Sequence, residues 1–316
     1  MKMEFLRQGR EFDQRPVQEV TDFLGSRSLE MHESAPDRLH VVAAGKDLVL
    51  EMTNGAVRQH PMRAAFLEKL LKWFSFPVRY LERLDSQTVA CVANDFLVGI
   101  RSGDVTVVLE DGEALTVTSG RYNRLEDLAI LDRCKDLAMT SISRNDFFTR
   151  FYSEVKVKKE IVKGDECGFG VNIVNSETGF RALSVYHYIL RYICTNGAVM
   201  RVGTGNEGKI HYGWPEGELD AWLAGRIEVC QASRAKIIEE VSLTRTEQWD
   251  AFSSPVSRRL KGILGPDRSG SLLRDVSGSQ TLYDVFNRIT NAAKSLDLNR
   301  RFDLELLAGG IVGRES

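Results

Sequence analysis

The central stretch of the chain, residues 169–202, reads FGVNIVNSETGFRALSVYHYILRYICTNGAVMRV. β-branched and aromatic side chains dominate three runs within it: 169–174, 182–194 and 198–202. NSETG at 175–179 and TNG at 195–197 separate these runs. Because β-branched and aromatic residues favour strands while Asn and Gly favour turns, the stretch predicts a central antiparallel β-meander.

On the C-terminal side of this stretch, residues 210–212 continue the strand pattern and helical patterns follow. Apolar residues at three- and four-residue spacing predict a long helix over 216–241 and an amphipathic helix over 281–295. Residues 265–271 read GPDRSGS, a composition that predicts a break and a mobile loop.

On the N-terminal side, Asn54-Gly55 and Asp111-Gly112 each stand between short apolar runs, which is the pattern of a β-hairpin. Helical spacing begins after Pro61 and ends before the second hairpin. We therefore predict the α+β class, with a central antiparallel β-meander packed with helices and a helical C-terminal region.

The division of the chain follows the same patterns. Residues 1–35 are polar and predict an N-terminal arm with at most one short helix near 17–24. Residues 36–142 predict an N-terminal α+β part, and residues 143–316 predict the β-meander followed by helices. We expect 36–316 to form one continuous domain.

Composition excludes several classes of protein. The chain has 316 residues, 43% hydrophobic and 27% charged side chains, and a formal net charge of -2, so a disordered polyelectrolyte is excluded. No run of about 20 apolar residues occurs, so we expect no membrane partner. The charged beginning lacks a secretory signal, which predicts a cytoplasmic protein. The five cysteines are odd in number and widely spaced, and they form neither a disulfide framework nor a CxxC motif.

Local signatures of catalysis and cofactor binding are weak. Residues 203–208 spell GxGxxG, but a strand-like segment follows them where a dinucleotide site needs a helix, so we interpret them as a strand connection. The five histidines show neither HxxxH nor HExxH spacing, and the sequence contains neither a GxSxG elbow nor a Walker motif. We predict no catalytic residue, no metal site and no cofactor.

A local basic signal stands out against the near-zero net charge. The segment from Ser143 to Lys163 contains six basic and three acidic residues, and Phe147, Phe148, Phe151 and Tyr152 are interleaved with them. Cations beside exposed aromatic rings are what single-stranded nucleic acid requires, because they attract phosphates and stack bases. The other interpretation is that the rings belong to the core and the lysines to a solvated strand face.

Two motifs of the central stretch carry a family resemblance. NSETG at 175–179 and the pattern RYICTNG at 191–197 resemble paired signatures of the phage/plasmid-like family catalogued as domain of unknown function 932. Further segments resemble the same family in order, so that the resemblance covers about residues 60 to 312: 76–81, 119–122, 163–165, 282–287 and 308–310. The sequence departs from the family pattern at Asn123, which follows the Arg-Tyr pair immediately.

The resemblance implies a prophage or mobile-element protein, found among DNA-metabolism and anti-defence genes, but it implies no reaction. Both motifs can be explained by turn geometry, since Asn and Gly tolerate positive φ. Alternatively, Arg121, Tyr122, Glu177, Arg191, Thr195 and Asn196 converge on one face that holds a phosphate backbone or a polar ligand. The complete set of candidate nucleic-acid or ligand contacts is Arg121, Tyr122, Arg150, Lys156, Lys158, Lys159, Asn175, Glu177, Arg191, Thr195, Asn196, Arg201 and His211.

Two classes of function follow. The first is a non-enzymatic nucleic-acid-binding protein with single-stranded DNA as its favoured partner. In outline, a β-meander leading into a long helix resembles the core of single-strand annealing proteins, which would also make it a ring- or filament-forming homo-oligomer. The second is an enzyme or anti-defence protein that binds a nucleotide-like ligand or a host protein through the NSETG/CTNG face.

Overall fold

A computed structural model describes residues 6–101, 103–192, 196–201, 208, 217–249, 253–278 and 281–313. Several predicted features lie outside these ranges: Thr195, His211, the strand at 210–212, and all of the 203–208 glycine motif except Gly208.

The strands in chain order are β1 (Phe12–Pro16), β2 (Leu29–Ser34), β3 (Leu39–Ala44), β4 (Asp47–Asn54), β5 (Ala56–Pro61), β6 (Val105–Glu110), β7 (Glu113–Ser119), β8 (Met139–Arg144), β9 (Thr149–Ser153), β10 (Val157–Val162), β11 (Asp165–Asn175), β12 (Ser184–Arg191) and β13 (Asn196–Arg201). The α-helices are α1 (Val17–Ser26), α2 (Ala64–Trp73), α3 (Ser86–Gly99), α4 (Asp127–Arg133), α5 (Glu218–Ala232), α6 (Arg234–Leu243), α7 (Ser253–Ser277), α8 (Leu282–Ala293) and α9 (Leu298–Val312). Short 3-10 helices cover Pro36–Arg38, Val78–Arg83 and Lys135–Leu137.

The largest sheet contains the predicted central meander. Its order is β1-β8-β9-β11-β12-β13, all neighbours are antiparallel, and β10 pairs with β11 beside the end of β9. β11 is long enough to pair with β10 near Asp165 and with β9 near Asn175. The α+β class, the antiparallel meander and the helical C-terminal region are thereby confirmed.

Two smaller antiparallel sheets occupy the N-terminal half. Their orders are β3-β4-β5 and β2-β6-β7. Gly55 (φ 82°) lies in the β4–β5 turn, while Asp111 (φ 53°) and Gly112 (φ 79°) form the β6–β7 turn. Since two successive positive φ angles are the geometry of a type I′ hairpin, the Asp-Gly hairpin prediction is confirmed.

One face of β11 supplies the core with Cys167, Phe169, Val171 and Ile173, which alternate along the strand as its pleat requires. The first two pack with residues of α6, α7, α8 and α9, and the other two pack with residues of α1, α4 and α5. α9 also lies against β13, where a Cβ atom on Gly309 would collide with the backbone oxygen of Val199. Glycine therefore permits the closest approach between this helix and the sheet.

The first correction concerns the N-terminal arm. Within the predicted arm, residues 12–34 form β1, α1 and β2, and β1 is hydrogen-bonded to β8 in the large sheet. Phe12, Val20 and Leu24 are buried, and the other residues of β1 and α1 are exposed or partly exposed. An edge strand and an amphipathic helix need few apolar residues, and this explains the polar composition of the segment.

Two C-terminal predictions also change. The helix predicted over 216–241 is divided at Ser233, where α5 ends and α6 begins. Residues 265–271 lie within α7, which is helical on both sides of a kink at Gly265 (φ 78°, ψ 170°). Pro266 follows the kink directly. Proline suits the first position of a helix, so Gly265-Pro266 ends one helical segment and begins the next without a loop.

Candidate nucleic-acid interface

The NSETG motif forms a buried turn at the end of β11. The Nδ2 group of Asn175 donates to the backbone oxygen of Leu125 at 2.8 Å and to Asp127 Oδ1 at 2.7 Å. The Ser176 hydroxyl donates to the backbone oxygen of Phe147 at 2.6 Å. Because these bonds tie the turn to two segments that are distant in sequence, Asn175 has a structural role here.

Glu177 lies in the same turn and belongs to a buried cluster of ion pairs. Its carboxylate lies 2.6 Å from Arg27 Nη1 and 3.5 Å from Arg124 Nη2, and it accepts the backbone N–H of Asp127 at 2.9 Å. Burial alone would raise the pKa of Glu177, but the Arg27 hydrogen bond and the nearby arginines bring that pKa below its usual value.

The cluster extends to Glu110 at the end of β6. Its two oxygens pair with Arg27, Arg63 and Arg144, with distances of 2.8 Å to Arg27 Nη1 and 2.9 Å to Arg144 Nη2. The arginines bring the pKa of Glu110 to about 2 even though burial opposes this shift. The sequence does not reveal this cluster, since its members come from six separate segments and each looks like a solvated charge.

Arg121, Tyr122, Glu177 and Arg191 do not share a face. The Tyr122 hydroxyl donates to the backbone oxygen of Ser176 at 2.7 Å, and the adjacent Arg121 is exposed, so both lie near the NSETG turn. Arg191 lies near the opposite end of β11, about 30 Å away for a strand of this length. The predicted convergence is therefore wrong for Arg191, and also for Asn196, which pairs with it in the sheet.

Arg191 is held by a carboxylate instead. Its Nε atom lies 2.9 Å from Asp165 Oδ1, and the Tyr283 hydroxyl donates to Asp165 Oδ2 at 2.8 Å. Asp165, the last residue of the KGD segment and the first of β11, thus forms an ion pair with the Arg of the second motif. This pair ties β12 to the beginning of β11 and to α8.

Arg150 is the second correction among the predicted contacts. It is fully buried, its Nη2 lies 2.6 Å from Glu305 Oε2, and its guanidinium carbon lies 4.6 Å from the Phe302 ring centroid. A side chain enclosed in this way cannot reach nucleic acid. Arg201, by contrast, is exposed at the end of β13.

The lysines of β10 and its approach are exposed as predicted. The Lys156 side chain is 67% exposed and that of Lys158 50% exposed, and Lys159 is also exposed. Lys158 Nζ lies 4.4 Å from the centroid of the Tyr192 ring and 3.8 Å from Glu166 Oε2. Lysines, an aromatic ring and a balancing carboxylate therefore meet on one surface.

The aromatic residues predicted to accompany these lysines lie elsewhere. Phe148, Phe151 and Tyr152 are buried, and Phe147 is partly buried against Phe180 at 4.9 Å between ring centroids. For these rings the core interpretation is correct. Tyr192, which sequence reasoning did not select, is the ring that contacts a β10 lysine.

His187 forms a buried hydrogen-bonded chain between β12 and the α5–α6 junction. Its Nδ1 lies 3.3 Å from Cys230 Sγ, and its Nε2 lies 3.0 Å from Ser233 Oγ. Burial and the charge of Arg234 lower the pKa of His187 to about 4, so the imidazole is neutral at pH 7. His187 is therefore a buried residue of the core that links the sheet to the helices.

A cavity of about 440 Å³ opens between the segment before β1, α2 and the beginning of α9. Four carboxylates line it, those of Glu11, Glu68, Asp146 and Asp297, together with Arg300. An acidic lining repels phosphate, so this cavity does not fit a nucleotide. Among the described residues, no group of three or more His, Cys, Asp and Glu side chains could hold a metal ion.

Comparison of the chain with protein-family models, curated proteins and solved structures gave no match. Within the described ranges, no helix has both the length and the apolar character needed to cross a membrane.

Proposed function

We propose that this protein binds single-stranded nucleic acid, with single-stranded DNA as the favoured partner, and that it catalyses no reaction. We also propose that it is a phage or mobile-element protein related to the family it resembles. The observation that supports binding is the pair of exposed lysines at 156 and 158, of which Lys158 lies beside Tyr192. Lys159 is also exposed, on the opposite face of β10.

The chemistry of this surface suits a flexible polyanion. Ammonium groups two positions apart project from one face of a strand and can follow a phosphate backbone, and a neighbouring ring offers a face to a base. β10 forms its backbone ladder with β11 at one end of the large sheet. Its lysines are therefore presented by a folded strand, which lowers the entropy lost on binding.

Nearby carboxylates limit the affinity that we expect. Lys156 Nζ lies 3.9 Å from Glu154 Oε2, and Lys158 Nζ lies 3.8 Å from Glu166 Oε2. Such exposed pairs are worth little, and phosphates can compete for the lysines. We expect binding that is readily measured at low salt and weak at physiological salt.

A salt titration tests the proposal. Fluorescence anisotropy with a labelled oligothymidylate of about 20 nucleotides should give a logarithmic slope of about -2 to -3 against salt, as three or four phosphate contacts predict. Replacing both Lys156 and Lys158 by Glu should weaken binding at least about tenfold, whereas Lys46→Glu in the exposed β3–β4 turn should not. Absence of binding by the unaltered protein at low salt would contradict the proposal.

Self-association is a separate part of the proposal. Annealing proteins with a comparable outline act as rings or filaments, so we propose that single-stranded DNA promotes a homo-oligomer here. Sedimentation velocity with and without the oligonucleotide measures this. A monomer in both conditions would contradict the annealing analogy but leave simple binding intact.

The alternative class, an enzyme or anti-defence protein using an NSETG/CTNG face, finds less support. The two motifs lie near opposite ends of β11, and the NSETG side chains are engaged in internal hydrogen bonds. In the described part of the chain no single face carries both motifs.

A further inference from the structure

Two lysines of α2 meet the backbone just after the NSETG motif. Lys69 Nζ donates to the backbone oxygen of Gly179, and Lys72 Nζ donates to that of Phe180 at 3.4 Å. The two ammonium groups lie 5.1 and 5.5 Å from the centroid of the Phe180 ring. Lys69 is buried beneath the turn, whereas Lys72 is exposed.

A third cation, Arg181, follows Phe180 in the chain, and its guanidinium carbon lies 5.2 and 4.8 Å from the centroids of the Phe148 and Phe302 rings. Burial and then the charge of Arg181 lower the pKa of Lys72, while burial and then the charge of Lys72 lower the pKa of Lys69 to about 8. Asp303 Oδ1 lies 2.7 Å from Arg181 Nη2, and Glu68 on α2 partly offsets the charge of Lys72. Three positive charges that repel one another would be stabilised by an anion.

Three exposed aromatic residues lie close to Lys72 in the sequence. Trp73 and Phe74 follow it directly and are 36% and 37% exposed, and Tyr80 is 56% exposed. Phe74 is stacked on Phe96 with ring centroids 4.7 Å apart, which fixes its position. A ring held in this way loses little entropy when a base stacks on it.

We infer that Lys72 and Arg181 bind a backbone phosphate of single-stranded nucleic acid while Trp73 and Phe74 stack its bases. Positive charge complements the phosphates, and the neighbouring rings distinguish this partner from a simple anion. The inference rests on the proposed function and adds a second contact surface to it. No residue of this surface was selected from the sequence, because the cations come from α2 and from the segment after β11.

Two ligands and one matched control test the surface. The phosphate contact is probed with pyrophosphate by isothermal titration calorimetry at low salt, comparing the unaltered protein with Lys72→Gln and Lys46→Gln. Both lysines are exposed, so neither change should impair folding. We expect Lys72→Gln to weaken pyrophosphate binding about tenfold and Lys46→Gln to leave it unchanged.

The ring contact is probed with the labelled oligothymidylate. Trp73→Ala should weaken binding about tenfold, and Trp73→Phe should restore most of it, because stacking requires a ring and tolerates its replacement. Equal loss in Trp73→Phe and Trp73→Ala would overturn the stacking role.

The outcomes separate this inference from the proposed function. If Lys72→Gln binds pyrophosphate as the unaltered protein does, or if neither protein binds it, the phosphate site is overturned, whatever the oligonucleotide does. If the unaltered protein fails to bind oligothymidylate at low salt, the proposed function fails by its own test, and the stacking role fails with it.

Discussion

Glu177 is one of the two carboxylates, with Glu110, that hold the buried ion cluster together. It lies between Arg27 and Arg124, and both arginine side chains are buried. Removing one member of a buried ion pair leaves an uncompensated charge, so Glu177→Gln should lower the free energy of unfolding by about 3–5 kcal/mol. Urea denaturation measures this change.

Glu126 provides the control for that measurement. It also lies 3.5 Å from Arg124 Nη2, but its side chain is 60% exposed. Glu126→Gln should change the free energy of unfolding by less than about 1 kcal/mol. Equal effects of the two substitutions would contradict the structural role assigned to the NSETG turn.

Asp127 should make stability depend on pH. Burial and the charge of Glu177 raise the pKa of Asp127, and they outweigh the opposing effect of Arg144, whose Nε lies 3.7 Å from Asp127 Oδ2. Thr149 and Asn175 are neutral donors to the same carboxyl group. A carboxyl whose pKa is higher in the folded than in the unfolded protein binds its proton more tightly when folded. Its contribution is therefore complete below the unfolded pKa of about 3.9 and decreases as pH rises through the folded value.

Asp127→Asn tests this dependence, because an amide can donate to Thr149 and accept from Asn175 without titrating. Between about pH 4 and neutrality, the unaltered protein should lose stability relative to the variant as pH rises. Parallel curves of unfolding free energy against pH would show that Asp127 does not titrate in this range.

Charged residues were the least predictable part of the candidate site. Lys156 and Lys158 lie on a solvent-exposed strand face as predicted, since period-two alternation is a local pattern, and Lys159 is exposed on the other face of β10. Arg150 belongs to the same stretch, yet it is buried because Glu305 and Phe302 of α9 enclose it. No local pattern reports a partner so distant in sequence.

At the scale of elements, the approach of α9 to β13 depends on Gly309. A Cβ atom there would meet the backbone of Val199, so the helix would have to move away from the sheet. We expect Gly309→Ala to lower the free energy of unfolding by about 1–3 kcal/mol, the usual cost of overpacking. Chemical denaturation monitored by circular dichroism measures it.

Gly225 in α5 is the matched control, because nothing lies within 4 Å of a Cβ atom built on it. Since alanine is the better helix former, Gly225→Ala should raise the free energy of unfolding by about 0.5–1 kcal/mol. If both variants lost stability, the loss in Gly309→Ala could not be attributed to the close approach of α9 to β13.

Helices and strands could be predicted where a few consecutive residues determine how the element ends. Asn54-Gly55 and Asp111-Gly112 define their hairpins because only a few residues tolerate positive φ. The same reasoning gives a wrong prediction at Gly265-Pro266, because this pair is typical of a loop but connects two helical segments directly. Whether such a break separates helices by a loop or by a kink depends on the packing around it.

At the scale of the whole molecule, the predicted arm is part of the fold. β1 forms one edge of the large sheet, and Phe12 on it is buried beside Phe23 with ring centroids 5.0 Å apart. Phe12→Ala should lower the free energy of unfolding by about 3–5 kcal/mol, whereas a detached arm predicts no change. Thermal and urea denaturation distinguish the two, with the exposed Arg15→Ala as a control that should be nearly neutral.

The pairing of β1 with β8 also bears on how the chain is made. Phe12 is in register with Arg144, so the first strand of the large sheet emerges long before its partner exists. At ribosomal rates of about 5–20 residues per second, this interval is on the order of ten seconds. During that time β1 has an open hydrogen-bonding edge and an exposed Phe12, so the nascent chain is an expected client for a chaperone that shields strand edges until synthesis passes β8.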